Sequence, residues 1–268
     1  MLRNTFRLAL CAGATLALAL LLTQPVHAQQ QAAKPIVKNI VLVHGAFADG
    51  SSWSKVIPLL QAMGYHVVAV QNPLTTLADE AAFTQRIIAL QDGPVILVGH
   101  SWGGAVITQA GDVPQVAGLV YIQAYAPDVG QSGNDASSPF GWTEGQKQIR
   151  LTDDKFATIT FKGMSEDIAE CLPASEQRLA FTVQGQSYAP LFDEKLTVAA
   201  WKTKPTWALI SPIDRMIPPG MEAASAERMG AATTTLRTCH MVILQEPAKV
   251  AAVIDQAAKN ALKGDPHE

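Results

Sequence analysis

The stretch PVILVGHSWGGAVI, residues 94–107, constrains the fold more than any other part of the chain. An apolar strand leads into a serine that has one glycine two positions before it and another two positions after it. A sharp turn from a strand into a helix leaves little room for side chains at those positions, which suits Gly99 and Gly103. The pattern predicts that Ser101 lies at the tip of such a turn, at the carboxyl edge of a sheet.

The rest of the chain supports a layered fold, because strand-like and helix-like segments alternate from Lys38 onward. The predicted strands cover 39–46, 66–73, 94–101, 116–127, 205–214 and 233–240. Helical periodicity or helix-forming composition marks the segments at 52–64, 77–92, 102–111, 220–230 and 246–262. Continuous Val, Ile and Leu runs alternating with helices are typical of a parallel sheet covered on both faces. We predict an α/β chain with a six-stranded, mostly parallel, doubly wound sheet.

One long segment, residues 128–203, interrupts this alternation and shows no clear sheet strand. Its aromatic residues include Trp142, Phe161, Phe181, Tyr188 and Phe192. Insertions of this length between two core strands are usually functional, and the aromatic side chains argue against the alternative of a disordered loop. We therefore predict a helical cap at 128–203 on a core formed by 39–127 and 204–264.

The first 28 residues have the features of a secretory signal peptide. A basic start with Arg3 and Arg7 precedes an apolar run, and the sequence Val26-His27-Ala28 fits a cleavage site. The alternative is an uncleaved membrane anchor, for which the apolar run is short. We predict cleavage near Ala28, a linker at 29–38, no stable membrane insertion after cleavage, and a periplasmic or secreted protein.

The net charge limits the classes of partner that the sequence favours. The net charge is −3 at pH 7, and loss of Arg3 and Arg7 would make it more negative. With no basic patch, the sequence favours neither nucleic acid nor an anionic membrane surface as a partner.

Two cysteines remain after the signal, Cys171 and Cys239. In an oxidising compartment they could pair or stay free, and the sequence does not decide between the two. It does not decide the oligomeric state either.

A serine hydroxyl needs a general base before it can act as a nucleophile, so the six histidines are candidates. His240 fits best, because it is predicted to end the last strand at the same sheet edge as Ser101. Of the others, His27 lies in the signal, His66 at the wrong end of a strand and His267 in the tail. His44 and His100 lie in two turns that favour structural roles. The side chain of His100 is expected to point away from the site, because it precedes Ser101 on a strand.

The base needs an acid to orient it. Asp214, in SPIDRMIPP, is predicted to end the fifth strand, and Asp128, in YAPD, to end the fourth. With either aspartate the chain order is serine, acid, histidine, as in serine hydrolases built on such a sheet. We favour Asp214 and keep Asp128 as the alternative.

The turn after the first predicted strand, HGAFADG, passes over the same sheet edge. The backbone N–H groups of Ala46 and Trp102 could therefore face Ser101 and form an oxyanion hole. Phe47 is predicted either to border the substrate pocket or to pack in the core.

At these residues the chain resembles the α/β-hydrolase superfamily, and within it the small, lid-bearing esterase and hydroxynitrile lyase branch. The resemblance rests on VLVHGAFADGSSW, VGHSWGGAV, PIDRMIPP and CHMVILQEPAKVAAVI, and covers about 40–262. It implies Ser101, Asp214 and His240 as a triad, Ala46 and Trp102 as oxyanion donors, a capped pocket and no cofactor. The plant lyases carry threonine and lysine where this chain has Gly45 and Met241, so the resemblance favours hydrolysis.

We therefore expect a secreted serine hydrolase that cleaves small carboxylic esters with an apolar or aromatic group through an acyl-enzyme. A thioesterase, amidase or perhydrolase could use the same triad. A non-catalytic ligand-binding protein on the hydrolase fold is the alternative from another class.

Overall fold

A computed structural model of the chain describes residues 36–263. The predicted signal peptide and most of the predicted linker lie outside the described residues. Within that range the strands are β1 (Asn39–Val43), β2 (His66–Ala69), β3 (Val95–Ser101), β4 (Val116–Ala124), β5 (Ile149–Leu151), β6 (Phe156–Ile159), β7 (Ser187–Tyr188), β8 (Thr206–Ile210) and β9 (Ala232–Thr235). The α-helices are α1 (Ile57–Ala62), α2 (Leu77–Ala89), α3 (Gly103–Ala110), α4 (Gly133–Ser137), α5 (Phe161–Gly163), α6 (Ala174–Thr182), α7 (Pro219–Met229), α8 (Val242–Gln245) and α9 (Pro247–Asn260).

The main sheet has the strand order β2-β1-β3-β4-β8-β9, and all of its pairings are parallel. Its central strands are fully buried apolar runs, as expected for a sheet with helices on both faces. Helix α9 packs on β3, β4 and β8, while α2 and α3 pack on each other and on β1. The predicted six-stranded doubly wound sheet is confirmed.

Several strands end earlier than predicted, and this changes where the candidate site residues lie. Strand β8 ends at Ile210 rather than at 214, and β9 ends at Thr235 rather than at 240. The last backbone hydrogen bond of this pairing runs from Leu236 N to Ile210 O, and beyond it Thr238 bonds to the side chain of Ser211. Asp214 and His240 therefore lie in loops beyond the strand ends, on the same carboxyl edge of the sheet.

The inserted segment contains short helices, as predicted, but the expectation that it holds no strand was wrong. Strands β5, β6 and β7 form a small antiparallel sheet with the order β5-β6-β7. These strands have two to four residues each, which is too short for a two-residue periodicity to stand out in the sequence. No helix within residues 36–263 is long and apolar enough to cross a membrane.

Candidate active site

The turn at Ser101 has the geometry that its flanking glycines suggest. Ser101 has φ of 54°, a left-handed conformation that is uncommon for a residue with a side chain. A Cβ atom on Gly99 would lie 2.5 Å from Gly103 O, and one on Gly103 would lie 2.5 Å from Val43 O. Neither position has room for a side chain, so strand β3 and helix α3 can approach closely enough to lift Ser101 out of the sheet edge.

The structure brings Ser101, His240 and Asp214 together into one hydrogen-bonded chain. Ser101 Oγ lies 2.9 Å from His240 Nε2, and His240 Nδ1 lies 2.7 Å from Asp214 Oδ2. All three residues are buried. A carboxylate can only accept, so Nδ1 carries a proton toward Asp214 and a neutral imidazole leaves Nε2 free to accept the serine proton. The arrangement is able to activate a hydroxyl nucleophile.

The Asp214 carboxylate is held in place by three donors besides His240. The backbone N–H groups of Met216 and Ile217 donate to Oδ1 at 2.7 and 3.0 Å, and Gln123 Nε2 donates to Oδ2 at 2.8 Å. Gln123 is fully buried at the end of β4. Sequence reasoning missed it, because a single glutamine near a strand end carries no motif.

A second buried carboxyl group, that of Glu222, lies beside Asp214. Its Oε2 accepts from Ser211 N at 2.8 Å, and the residue is buried. Burial, together with the negative charge of Asp214, raises the pKa of Glu222 well above its usual value. The shift favours the protonated form of Glu222 in this buried position.

The alternative acid, Asp128, has a different partner. It lies beyond the end of β4 and forms a 2.5 Å ion pair with Lys202, in which both side chains are partly exposed. Its Oδ1 also accepts from Val129 N at 2.6 Å. Among the described residues it makes no hydrogen bond to His240.

His100 does not point away from the site as expected. Its Nε2 lies 2.9 Å from the carbonyl oxygen of His240, and the two rings are 4.8 Å apart. Burial lowers the pKa of His100 to about 3, and the neighbouring His240 contributes to that shift. A neutral His100 donates Nε2–H to His240 O and so anchors the backbone of that residue. The last residue of β3 turns sharply, which removes the strict strand alternation on which the expectation rested.

The residues predicted for the oxyanion hole lie beside Ser101. Ala46 and Trp102 line the same cavity as Ser101 and His240, and Trp102 is the N-cap residue immediately before helix α3. A Cβ atom on Gly45 would lie 2.7 Å from Ser101 Cβ. The turn that follows β1 therefore passes directly over Ser101, and the absence of a side chain at Gly45 allows that close approach.

The cavity in front of Ser101 has a volume of about 540 Å³ and is mainly apolar. The cap contributes to its walls, with Trp142, Leu179, Val183 and Phe192 among the lining residues. Phe47 satisfies both alternatives left open by the sequence, because it lines the cavity and is only 7% exposed, with its ring 6.2 Å from that of Phe192.

The bonds that join the cap to the loops of the candidate site include a disulfide, an ion pair and side-chain hydrogen bonds. Cys171 of the cap forms a disulfide with Cys239, the residue before His240, with the two Cα atoms 5.8 Å apart. Asp167 of the cap accepts from Arg215, the residue after Asp214, at 2.6 Å. Ser187 Oγ accepts from the backbone N–H of Phe47 at 3.1 Å. The pairing of the two cysteines, which the sequence left open, thus links the cap to the histidine loop.

The sequence profile of the Alpha/beta hydrolase family matches residues 40–253, which include every residue of this hydrogen-bonded chain. The chain belongs to the alpha/beta hydrolase family. The resemblance seen in the sequence, to small lid-bearing members of that family, is confirmed by its relatives.

Two curated relatives and one solved structure illustrate this membership. The chain is 34% identical over 152 residues to Probable hydrolase R7 from a Phoma species and 26% identical over 147 residues to Methylesterase 2 from Arabidopsis thaliana. These matches cover 48% and 46% of this chain and 62% and 56% of the relatives, so less than two thirds of either relative is spanned. The crystal structure of the pyrethroid hydrolase PytH shares the fold with a TM-score of 0.74 at 23% identity, over 85% of this chain and 99% of that one.

Proposed function

We propose that this protein is a serine esterase that cleaves small carboxylic esters with an apolar or aromatic group. The observation that carries the proposal is the continuous hydrogen-bonded chain from Asp214 through His240 to Ser101, which ends in a mainly apolar cavity. A relative named as a methylesterase supports ester hydrolysis as the reaction. The three residues then serve as orienting acid, base and nucleophile, as the sequence predicts.

The reaction follows from this geometry. Ser101 Oγ attacks the acyl carbonyl as its proton passes to His240 Nε2, 2.9 Å away. Asp214 holds the imidazole in the required tautomer and stabilises its charged form. The backbone N–H groups of Ala46 and Trp102 stabilise the developing oxyanion, and the imidazolium then returns the proton to the departing alcohol. A water molecule activated by His240 releases the acid from the acyl-enzyme.

The cap is proposed to supply the specificity. Its lining side chains at the cavity include Trp142, Leu179 and Val183, which are apolar. Apolar burial is non-directional and grows with area, so such a wall favours neutral esters over charged ones. It also excludes water from the oxyanion side of the site.

The predicted export through a signal peptide at residues 1–28 remains part of this proposal. The disulfide between Cys171 and Cys239 supports it, because structural disulfides persist in oxidising compartments. N-terminal sequencing of the protein recovered from the periplasm or medium tests it, with a start near residue 29 expected. A full-length protein confined to the cytoplasm would contradict export without affecting the assignment of the reaction.

A fluorophosphonate probe and a substrate panel test the proposed reaction. The probe is expected to label the protein once, on Ser101, and p-nitrophenyl esters are expected to be turned over. Labelling at another residue would overturn the nucleophile assignment. Matched thioesters and amides in the same panel separate the esterase from a thioesterase or amidase, and binding without turnover of any member would identify a ligand-binding protein.

A further inference from the structure

Glu80, on helix α2, is a carboxyl group sealed behind the wall of the active site. The residue is fully buried, and its Oε2 accepts a 2.7 Å hydrogen bond from Nε1 of Trp102. Its other oxygen, Oε1, has no hydrogen-bond partner among the described residues. None of the ion pairs formed within residues 36–263 includes Glu80. A buried carboxyl group without a cation is costly, so one with a single specific donor invites a functional explanation.

The donor is the residue next to the nucleophile. Trp102 follows Ser101, is 1% exposed and lines the cavity. Its ring meets those of Phe192 and Tyr125 edge to face, at 5.0 and 6.2 Å. The indole therefore forms a fixed part of the wall, and its N–H needs an acceptor on the far side, which Glu80 supplies.

The surroundings of Glu80 raise the pKa of its carboxyl group. Burial raises the pKa of Glu80 to about 7, and the charge of Glu194, in the cap, adds to the rise. The Trp102 hydrogen bond and the nearby backbone of Leu74 lower the pKa of Glu80, while Asp79 on the same helix raises it by a smaller amount. No cation is among these influences. Glu80 thus loses its proton as the pH rises through neutrality.

We propose that Glu80 is a positioning residue that holds Trp102 most firmly when it is ionised. Hydrogen bonds to a carboxylate are roughly twice as strong as those to a neutral carbonyl, so deprotonation tightens the bond to the indole. The indole and the amide N–H proposed for the oxyanion hole belong to the same residue. Fixing the ring therefore limits movement of the amide at the strained turn, and the oxyanion hole is better ordered above neutral pH than below it.

This inference rests on the proposed function, because it assigns Trp102 a part in that reaction. Glu80→Gln is the decisive variant, since it keeps the shape and an acceptor oxygen but is always neutral. The ratio of wild-type to Glu80→Gln kcat/KM cancels the pH effects that the two proteins share. We expect the ratio to be near one at low pH and to rise about 3- to 10-fold as the pH passes through 7. A ratio that does not change with pH would overturn the proposal.

Asp79→Asn is the matched control, because it removes an acidic side chain one position away on the same helix. Asp79 is exposed and bonds only locally, to Thr75 and Thr76. Its pH profile is expected to keep the wild-type step, moved slightly to lower pH, because Asp79 contributes to the raised pKa of Glu80. If Asp79→Asn reproduced the effect of Glu80→Gln, a general charge effect would replace the specific one.

Trp102→Phe completes a double-mutant cycle. If Glu80 acts through the indole N–H, Glu80→Gln should have no further effect in the Trp102→Phe background. Additive losses from the two substitutions would contradict the proposal. Equal melting temperatures for wild type and Glu80→Gln would show that the comparison is made between folded proteins.

A readout without turnover separates this inference from the proposed reaction. Tryptophan fluorescence of the wild type is expected to change with pH near 7, and Glu80→Gln is expected to abolish that change. If no ester is turned over but the fluorescence step behaves as expected, the esterase proposal fails and the Glu80–Trp102 contact stands. If Glu80→Gln retains the step, the pH-dependent contact is wrong whatever the activity.

Discussion

The sheet edge and the cap build the two halves of the site in different ways. The sheet edge places Ser101, Asp214 and His240 through many short hydrogen bonds from buried groups. The cap is a set of short helices and a small sheet, and it reaches the same loops through a disulfide, an ion pair and hydrogen bonds to backbone groups of those loops. The core therefore fixes the atoms proposed to react, while the cap shapes the cavity.

The cap is bonded to residues that directly adjoin the candidate site. Cys239, Arg215 and Phe47 each adjoin a residue of the candidate site, so the cap is bonded beside the proposed base, the proposed acid and the proposed oxyanion loop. A change in the cap can therefore reach the catalytic loops without touching the reacting groups. If this division of labour is correct, substitutions in the core should abolish the reaction, and substitutions in the cap should change stability or selectivity.

The largest expected effect is that of Ser101→Ala. Removing the nucleophile should lower kcat by at least about 10⁴-fold for every ester, because triad members act as a unit. Circular dichroism and melting should remain close to those of the wild type. A Ser101→Ala protein with full activity would show that the sheet edge does not supply the nucleophile.

The two acids at the sheet edge provide the next test. Asp214→Asn should lower kcat about 10³- to 10⁴-fold near neutral pH, because the imidazole loses its orienting charge. Asp128→Asn should have an effect of about twofold or less, since it removes only a partly exposed ion pair with Lys202. Steady-state kinetics of both variants decide the matter, and the reverse ranking would move the acid to the loop after β4.

The disulfide tests the attachment of the cap. It closes a loop of 68 positions, and the chain-entropy estimate gives about 4 kcal/mol for such a loop. The variant with both cysteines changed to serine should therefore melt about 10 °C lower, measured by calorimetry. A reductant should lower the melting temperature of the wild type and leave that of the variant unchanged. Equal melting temperatures for the two proteins would show that the bridge does not anchor the cap.

The smallest expected effect concerns selectivity along a series of acyl chains. Each buried methylene contributes about 0.8 kcal/mol, so kcat/KM should rise about fourfold per carbon until the cavity is full and then fall. Leu179→Ser, in the cap wall, should flatten this rise. Leu90→Ser is the matched control, because Leu90 is an exposed leucine outside the cap. A wild-type profile that is flat, or that favours charged esters, would show that the cap does not form an apolar pocket.

The sequence was most informative where a local rule acts. The glycines around Ser101 predicted a tight turn, and the structure shows contacts of 2.5 Å that exclude a side chain at either position. The predicted strand ends placed Ser101, Asp214 and His240 at one sheet edge, and the structure brings them together there. The strand ends were less accurate, because pairing stops where the neighbouring strand stops, and that depends on a distant part of the chain.

The residues that escaped prediction are those defined only by distant contacts. Gln123 donates to Asp214 from 91 positions away, and His100 donates to the backbone of His240 from 140 positions away. Glu80 meets Trp102 across 22 positions and between two helices. No periodicity or motif marks such residues, so a three-dimensional arrangement is needed to find them.

The contact between Ser101 and His240 also has a consequence for how the chain folds. The two residues are 139 positions apart, and the strand that precedes His240 is the last to join the sheet along the chain. Contacts of such long sequence separation form slowly, because the loop between them must be closed first. Recovery of ester turnover after dilution from denaturant should therefore lag behind recovery of the helical signal. Recovery of activity would then mark the step at which Ser101 and His240 come into contact.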